Sequence, residues 1–266
     1  MSGQAEIEKI GQMSERGVIA MLRDPLQFHL VFQPQIDLIN GGIESAEALA
    51  RWQHPAWGPV PASRLIRMIS DLRLQSALFQ RVTELVLEAS KALSDVGAHL
   101  PLAINACATT LANPDNPAFL RDEALRQGVA LRFVKVELTE STPVADLPAL
   151  KTSLARLKQW GCEISMDDFG AGYANLTTLI GLTIDELKLD KAFAASVRTS
   201  LVARQSVRFA LALAADMGWR VVAEGISCAA ELRMMRVLGC RHGQGFHLGG
   251  PIPLGQLISL ARIAGR

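Results

Sequence analysis

No window of the 266-residue sequence reaches the roughly 18 consecutive apolar residues that a transmembrane helix needs, although 49% of the chain is apolar. The first residues, MSGQAEIEKIGQ, are polar and show no cationic start followed by an apolar block, so neither a secretory leader nor direct membrane insertion is expected. Charge of one sign is also lacking. With 27 Lys and Arg against 26 Asp and Glu, no global field exists to hold a DNA or RNA polymer or an anionic membrane, and a charged ligand must be met locally. Trp57, Trp160 and Trp219 have no interleaved basic runs, which makes them packing residues rather than a platform for nucleic acid. Cysteine is scarce. Cys107, Cys162, Cys228 and Cys240 occur singly with no CxxC spacing, as expected of a reducing, cytoplasmic compartment.

What the sequence does have is alternation. Strand-like apolar runs begin at Phe28 (FHLVFQPQI), Gly42 (GIESAEAL), Pro101 (PLAIN), Arg132 (RFVKVEL), Cys162 (CEISM), Ile184 (IDELKL) and Arg220 (RVVAE), with a weak eighth near Gly243. Helical patterns cover 74–93, 117–126, 147–160, 176–180, 201–217, 229–238 and 254–263. Eight strands alternating with helices predict a parallel sheet closed into an α/β barrel. One connection breaks the rule. Only Asn40-Gly41-Gly42 and a few neighbours separate the first two strands, a length and composition suited to a hairpin, and parallel strands cannot be joined so tightly. The expected fold is therefore a modified (β/α)8 TIM-type barrel with an antiparallel first strand. No linker or repeat divides the chain, so residues 1–266 are expected to form one domain. Within it 28–266 would be the barrel and 1–27 a helical or linker segment carrying Ile7, Ile10, Met13 and Val18.

Acids close several of these strands: Glu47 in AEALARW, Glu137 after FVKV, Asp167 and Asp168 after CEISM, and Glu224 after WRVVA. In such barrels the strand C-termini line one face, so these acids should gather with Asn105, Lys188 and Gln244. Crowded carboxylates resist ionising together unless a cation lies between them. All-oxygen donors suit Mg²⁺ or Mn²⁺, whereas zinc or copper would recruit the His or Cys that form no cluster here. Two such ions, about 3.5–4 Å apart and bridged by Asp167, serve phosphodiester cleavage. Lys188 shares a strand face with Glu186 and Asp190. It would orient or deprotonate the attacking water, or form a lumen ion pair with those neighbours. Asp168-Phe169-Gly170 matches the kinase DFG, but no HRD loop or glycine-rich loop before a VAIK-like strand accompanies it. His242 and His247 read as hydrogen-bonded structure. The apolar stripe Leu201, Val202, Phe209 and Leu213, with several Ala, reads as packing on the barrel exterior, with a dimer face as the sharper alternative.

These residues fall in ordered motifs: Gln33-Pro34, Glu47-Ala48-Leu49 with Arg51-Trp52, Asn105, Glu137 and Glu140 in ELTES, DDFGAGY from Asp167, DELKLD with Lys188, AEG ending at Gly225, and Gln244-Gly245-Phe246. Over nearly the whole chain the sequence resembles the EAL domain, the bacterial module that hydrolyses cyclic di-GMP to linear pGpG through a metal-activated water. The resemblance implies metal ligation by Glu47, Asn105, Glu137, Asp167, Asp168 and Glu224. It implies catalytic roles for Lys188, Gln244 and Glu224, with Glu140 steadying the loop after Asp168. Gln33, Leu49 and Arg51 would hold the dinucleotide. It also implies Mg²⁺ or Mn²⁺ as cofactor, bound as two ions, a homodimer with contacts near that loop, and fused or partner sensor or GGDEF domains. Calcium is expected to inhibit, because a larger ion with looser geometry holds the ligand while supporting little hydrolysis. Two positions depart from the pattern: Ala171 stands where Thr is usual, and Ser227 where Glu is common. Neither is an expected ligand. The alternative reading is a catalytically weak cyclic di-GMP receptor or interaction module.

Overall fold

The computed structural model describes residues 13–139, 146–170 and 181–264. A first helix, α1 (Glu15–Arg23), is capped by the Ser14 side chain and buries Val18, Met21 and Leu22. It leads into β1 (Phe28–Asp37), which pairs antiparallel with β2 (Ile43–His54), Gln33 opposite Glu47 and Gln35 opposite Ser45. The turn between them is tight because Gly41 takes a φ of 76° and Asp37 and Asn40 accept backbone N–H groups of Ile39 and Gly42 at 2.7 Å.

The remaining barrel strands are β4 (Leu102–Cys107), β5 (Val134–Thr139), β6 (Glu163–Phe169), β7 (Glu186–Leu189), β8 (Arg220–Ala223) and the two-residue β9 (His242–Gly243). Each pairs in parallel with the next, β4 pairs in parallel with β2, and β9 meets β1 antiparallel, which closes eight strands into a barrel. The antiparallel first strand expected from loop length is present. A short β3 (Gly58–Val60) folds back on the end of β2, and α2 (Ala62–Asp71) follows with Leu65, Met68 and Ile69 buried on one face. Neither of these was expected. The turn-rich WGPVPAS hid the start of an amphipathic helix whose apolar residues recur at i, i+3 and i+4.

Outside the barrel lie α3 (Gln75–Asp95), α4 (Ala108–Ala112), α5 (Asp115–Gln127), α6 (Leu147–Gln159), α7 (Lys191–Ser196), α8 (Leu201–Met217), α9 (Ala229–Leu238) and α10 (Leu254–Ala264). The expected helix over 176–180 lies outside the described residues. Along α8 the buried face is Ala203, Val207, Ala210 and Ala214, while Leu201, Val202 and Phe209 are exposed. Of the stripe expected to pack, Ala203, Ala210, Ala214 and the partly buried Leu213 do so, whereas Leu201, Val202 and Phe209 face solvent, because small residues let this helix approach β7 and β8.

Side chains alternate across each strand. Ile104, Val136, Leu138, Ile164, Met166 and Leu187 are buried with helix residues such as Val86, Leu120, Leu154 and Val207 in one apolar core. The alternate positions turn into the barrel, and apart from Ala103 and Val222 those that are buried are polar: Gln35, Ser45, Glu47, Lys135, Glu137, Ser165, Asp167, Glu186 and Lys188. The apolar core is thus a shell around the barrel, and the lumen is a stack of polar layers.

Gly225 links fold to rim. It follows Glu224 at a φ of 68°, and a Cβ there would collide with Lys191 Cβ and come within 2.9 Å of Lys191 Cα at the start of α7. Gly225→Ala is expected to lose at least about 1–3 kcal/mol of stability in a denaturant titration, since left-handed strain and backbone overlap act together. A loss under about 0.5 kcal/mol would show that the α7 junction yields freely.

Candidate functional site

Lys188, fully buried on β7, stands at the centre of the upper lumen. Its Nζ lies 2.7 Å from Glu224 Oε1, 2.8 Å from Glu137 Oε2, 3.1 Å from Asp167 Oδ1 and 3.4 Å from Glu47 Oε2. These acids come from four strands, so the barrel's closure assembles them. Glu47 lies inside the long β2 rather than ending it as expected, Glu137 and Asp167 fall in the second halves of β5 and β6, and Glu224 follows β8. Glu137 is beside Asn105 in register, Glu224 directly follows β8, and Asn105 Nδ2 donates to Glu47 Oε1 at 2.7 Å. Gln244, just past β9, donates to Glu47 Oε2 at 2.7 Å and to Gln33 Oε1 at 3.2 Å.

An ammonium has three hydrogens and four carboxylates surround this one. Asp167 Oδ1 is the atom left over: it is buried and close to Nζ, yet receives no directed hydrogen bond. Asp168 adds a fifth carboxylate. Its φ of 54° and the interrupted register between Met166 and Phe169 break strict alternation, so that two consecutive residues reach the rim. A left-handed φ is uncommon for a residue with a Cβ, though Asp tolerates it better than most. Ligand atoms of Asp167, Asp168 and Glu224 all lie within 4.8 Å of one another. Five acids against one Lys, oxygen donors throughout, and an orphaned carboxylate oxygen fit a hard divalent cation.

With this geometry in view, the family match is decisive: residues 19–251 match the EAL domain. The chain belongs to the EAL domain family. This EAL domain is 35% identical over 233 residues to a cyclic di-GMP phosphodiesterase of Pseudomonas aeruginosa, covering 85% of this chain and 38% of that protein. The chain spans about two fifths of the length of the first curated relatives it matches. Among solved structures, the MucR phosphodiesterase in complex with c-di-GMP superposes with a TM-score of 0.82 at 31% identity, covering 90% of this chain and 99% of that one. The manganese and cyclic di-GMP complex of Klebsiella pneumoniae BlrP1 superposes with a TM-score of 0.72 at 25% identity, covering 83% and 55%.

The EAL domain's upper ring holds Glu47, Asn105, Glu137, Asp167, Asp168, Lys188, Glu224, Gln244 and Gln33 together. Leu49 and Arg51 continue β2 above Glu47 and line a cavity of about 520 Å³ with Asn105, Leu65, Ile69 and Phe79. Glu140 and Ala171 lie outside the described residues. Ser227 is part of a helix start: its N–H and hydroxyl donate to Glu231 Oε2 at 2.7 and 2.9 Å, ahead of α9. His242 pairs with Glu44 at 2.6 Å near the opposite rim, a structural role as expected. Lys188 does not pair with Glu186 or Asp190. Glu186 turns to Lys135, and Asp190 caps α7 through Ala192 N–H.

Sequence reading missed the layer beneath. Gln35, Ser45, Lys135 and Glu186 form a buried cluster just below the ring. The signal was available in the period of two, since each of these residues stands two positions from a ring residue of its own strand: Gln33, Glu47, Glu137 and Lys188.

Burial pushes the Lys188 pKa down, but the surrounding carboxylates, Glu137 foremost, outweigh it and hold the group well above its usual range. With the ring free of metal, Lys188 is therefore held in its cationic form. Burial raises Glu137 well above the carboxylate range and Glu224 to about 7, with acidic neighbours adding to the effect. For Glu47, burial is overcome by Lys188, Asn105 and Gln244, and its pKa falls. Between about 4.5 and about 7, folded Glu224 thus keeps a proton that the unfolded chain has released, so its contribution to stability falls as pH rises through that window. In EDTA, melting experiments should show wild type losing up to about 1.4 kcal/mol per pH unit there relative to Glu224→Gln. Parallel pH profiles for the two proteins would contradict the raised pKa.

Proposed function

We propose that this EAL domain hydrolyses one phosphodiester of cyclic di-GMP and releases linear 5'-pGpG. The observation that carries the reading is the ring of Glu47, Glu137, Asp167, Asp168 and Glu224 around Lys188, with Asp167 Oδ1 receiving no directed hydrogen bond among the described residues. Family membership and the ligands named for its relatives support the choice of substrate. Two Mg²⁺ or Mn²⁺ ions, held by Glu47, Asn105, Glu137, Asp167, Asp168 and Glu224, would neutralise the phosphodiester and supply a nucleophilic water near neutral pH.

The chain's own residues do the rest. Lys188 holds Glu47, Glu137 and Glu224 converged on the lumen axis, and its fixed charge attracts the scissile phosphate and orients the attacking water. Gln244 and Asn105 each aim an amide N–H at Glu47, which fixes that carboxylate's plane. Arg51 offers a fork for a phosphate oxygen, Leu49 an apolar wall for a base, and Gln33 a polar edge beside Gln244. Glu140 would steady the segment after Asp168.

The rest of the proposal is a cytoplasmic chain acting as one unit over 1–266, with 28–266 as the barrel. Among the described residues no helix is long and apolar enough to cross a membrane. The expected homodimer and the expected fused or partner sensor or GGDEF domain stay with this reading. Exposed Val202 and Phe209 supply apolar surface for self-association.

Chromatography of cyclic di-GMP incubated with the pure protein tests the reaction. Mg²⁺ or Mn²⁺ should yield pGpG, EDTA should abolish it, and Ca²⁺ should hold the dinucleotide with little product. Glu47→Ala and Lys188→Met should each lower turnover by at least about 10²-fold. Tight nucleotide binding without product would favour the receptor reading, and neither product nor binding would end the assignment.

A further inference from the structure

Beneath the acid ring, Lys135 is buried on β5, two residues before Glu137, and no role in the reaction has been assigned to it. Its Nζ donates to both carboxylate oxygens of Glu186, at 2.8 and 2.7 Å, to Gln35 Oε1 at 3.0 Å and to Ser45 Oγ at 3.4 Å. Glu186 is also held by Arg220 at 3.3 Å, and Arg220 pairs with Glu163. This lower layer is balanced in charge, two bases against two acids.

Gln35 joins the layers. Its oxygen faces Lys135 and Ser45, and its nitrogen donates upward to Glu137 Oε1 at 3.3 Å and Gln244 Oε1 at 3.2 Å. An amide can in principle sit either way round, and the Ser45 hydroxyl tolerates both, since it donates and accepts. An ammonium does not, because it only donates. Turned over, Gln35 would point an NH₂ at Lys135 and an oxygen at the fully buried Glu137 carboxylate. Gln244 would then have to turn as well and present its oxygen to Glu47.

We propose that Lys135 is a positioning residue, which fixes the direction of the hydrogen-bond chain through Gln35 and Gln244 and so keeps donors, not acceptors, facing Glu137 and Glu47. The inference rests on the reading of the ring as a divalent-metal site. It makes a prediction contrary to simple electrostatics. Through charge alone, deleting Lys135 by itself should tighten metal binding and deleting it together with Glu186 should leave binding unchanged, whereas losing the fixed polarity should weaken it in both.

The test is Mn²⁺ titration by calorimetry on the full chain, without substrate. Lys135→Met combined with Glu186→Gln leaves the net charge unchanged and no buried charge stranded, a type of exchange that buried pairs often tolerate. That variant should melt close to wild type and bind Mn²⁺ about 10-fold more weakly, the usual range for groups that orient metal ligands. Gln35→Leu should weaken binding comparably, and adding it to the pair should cost nothing further, because both act through one chain. Unchanged or tighter Mn²⁺ binding in the Lys135 variant, or additive effects with Gln35→Leu, would overturn the proposal while leaving the metal site intact. If the double variant does not fold, Lys135→Gln, an ambivalent donor and acceptor, should show the same weakening, and wild-type affinity there would overturn the proposal. No Mn²⁺ binding by wild type would overturn the metal-site reading and this inference with it.

Discussion

The ion cluster around Lys188 is the constraint on which the rest of the molecule depends. One ammonium lies within 3.4 Å of carboxylates from β2, β5, β6 and the residue after β8. Taken alone, burying any of these charges costs several kcal/mol, and burying four acids together would drive most of them to the protonated form. Lys188 keeps the cluster ionised enough to be useful, yet it cannot satisfy it: burial still raises Glu137 and Glu224, and Asp167 Oδ1 has no donor. A fold that closes on such a ring needs strong support elsewhere. The continuous apolar shell between strands and helices provides it, with Ile104, Val136, Ile164 and Leu187 inaccessible to solvent.

That division of labour explains which features were legible in the sequence. Strands announced themselves because their outward faces are apolar and β-branched, and the antiparallel start followed from a loop too short for a crossover. The small β3 and α2 were not legible, since Pro and Gly around Val60 obscured the onset of a helix. Along α8 the packing face was read only in part: Ala203, Ala210, Ala214 and Leu213 pack inward, and Leu201, Val202 and Phe209 do not.

At the site, acids at strand ends were legible because the barrel's topology sends every strand end to one rim. The gathering of Lys188 with these acids was legible too, but the choice against Glu186 and Asp190 as its partners was not. Residues on one face of a strand are about 6–7 Å apart, so Glu186 and Asp190 look like neighbours in sequence, whereas cross-strand stagger sets true proximity. Stagger is a property of closure and has no local signature. The same gap hid the pairing of Lys135 with Glu186, although both residues stood in plain alternation with Glu137 and Lys188.

Two adjacent layers of one lumen are therefore built to opposite specifications. Below, Lys135 and Arg220 meet Glu186 and Glu163 in equal number, and the charges close on themselves. Above, five acids meet one Lys, and the surplus is relieved by protons, as at Glu137 and Glu224, or by a ligand from outside. Charged residues could not join the layers without passing that imbalance downward. A neutral amide can, because it accepts from the cationic side and donates to the anionic side at no net charge. Gln35 occupies that junction, and its donors at Glu137 and Gln244 let the surplus remain at the rim, where a cation and a phosphodiester can reach it.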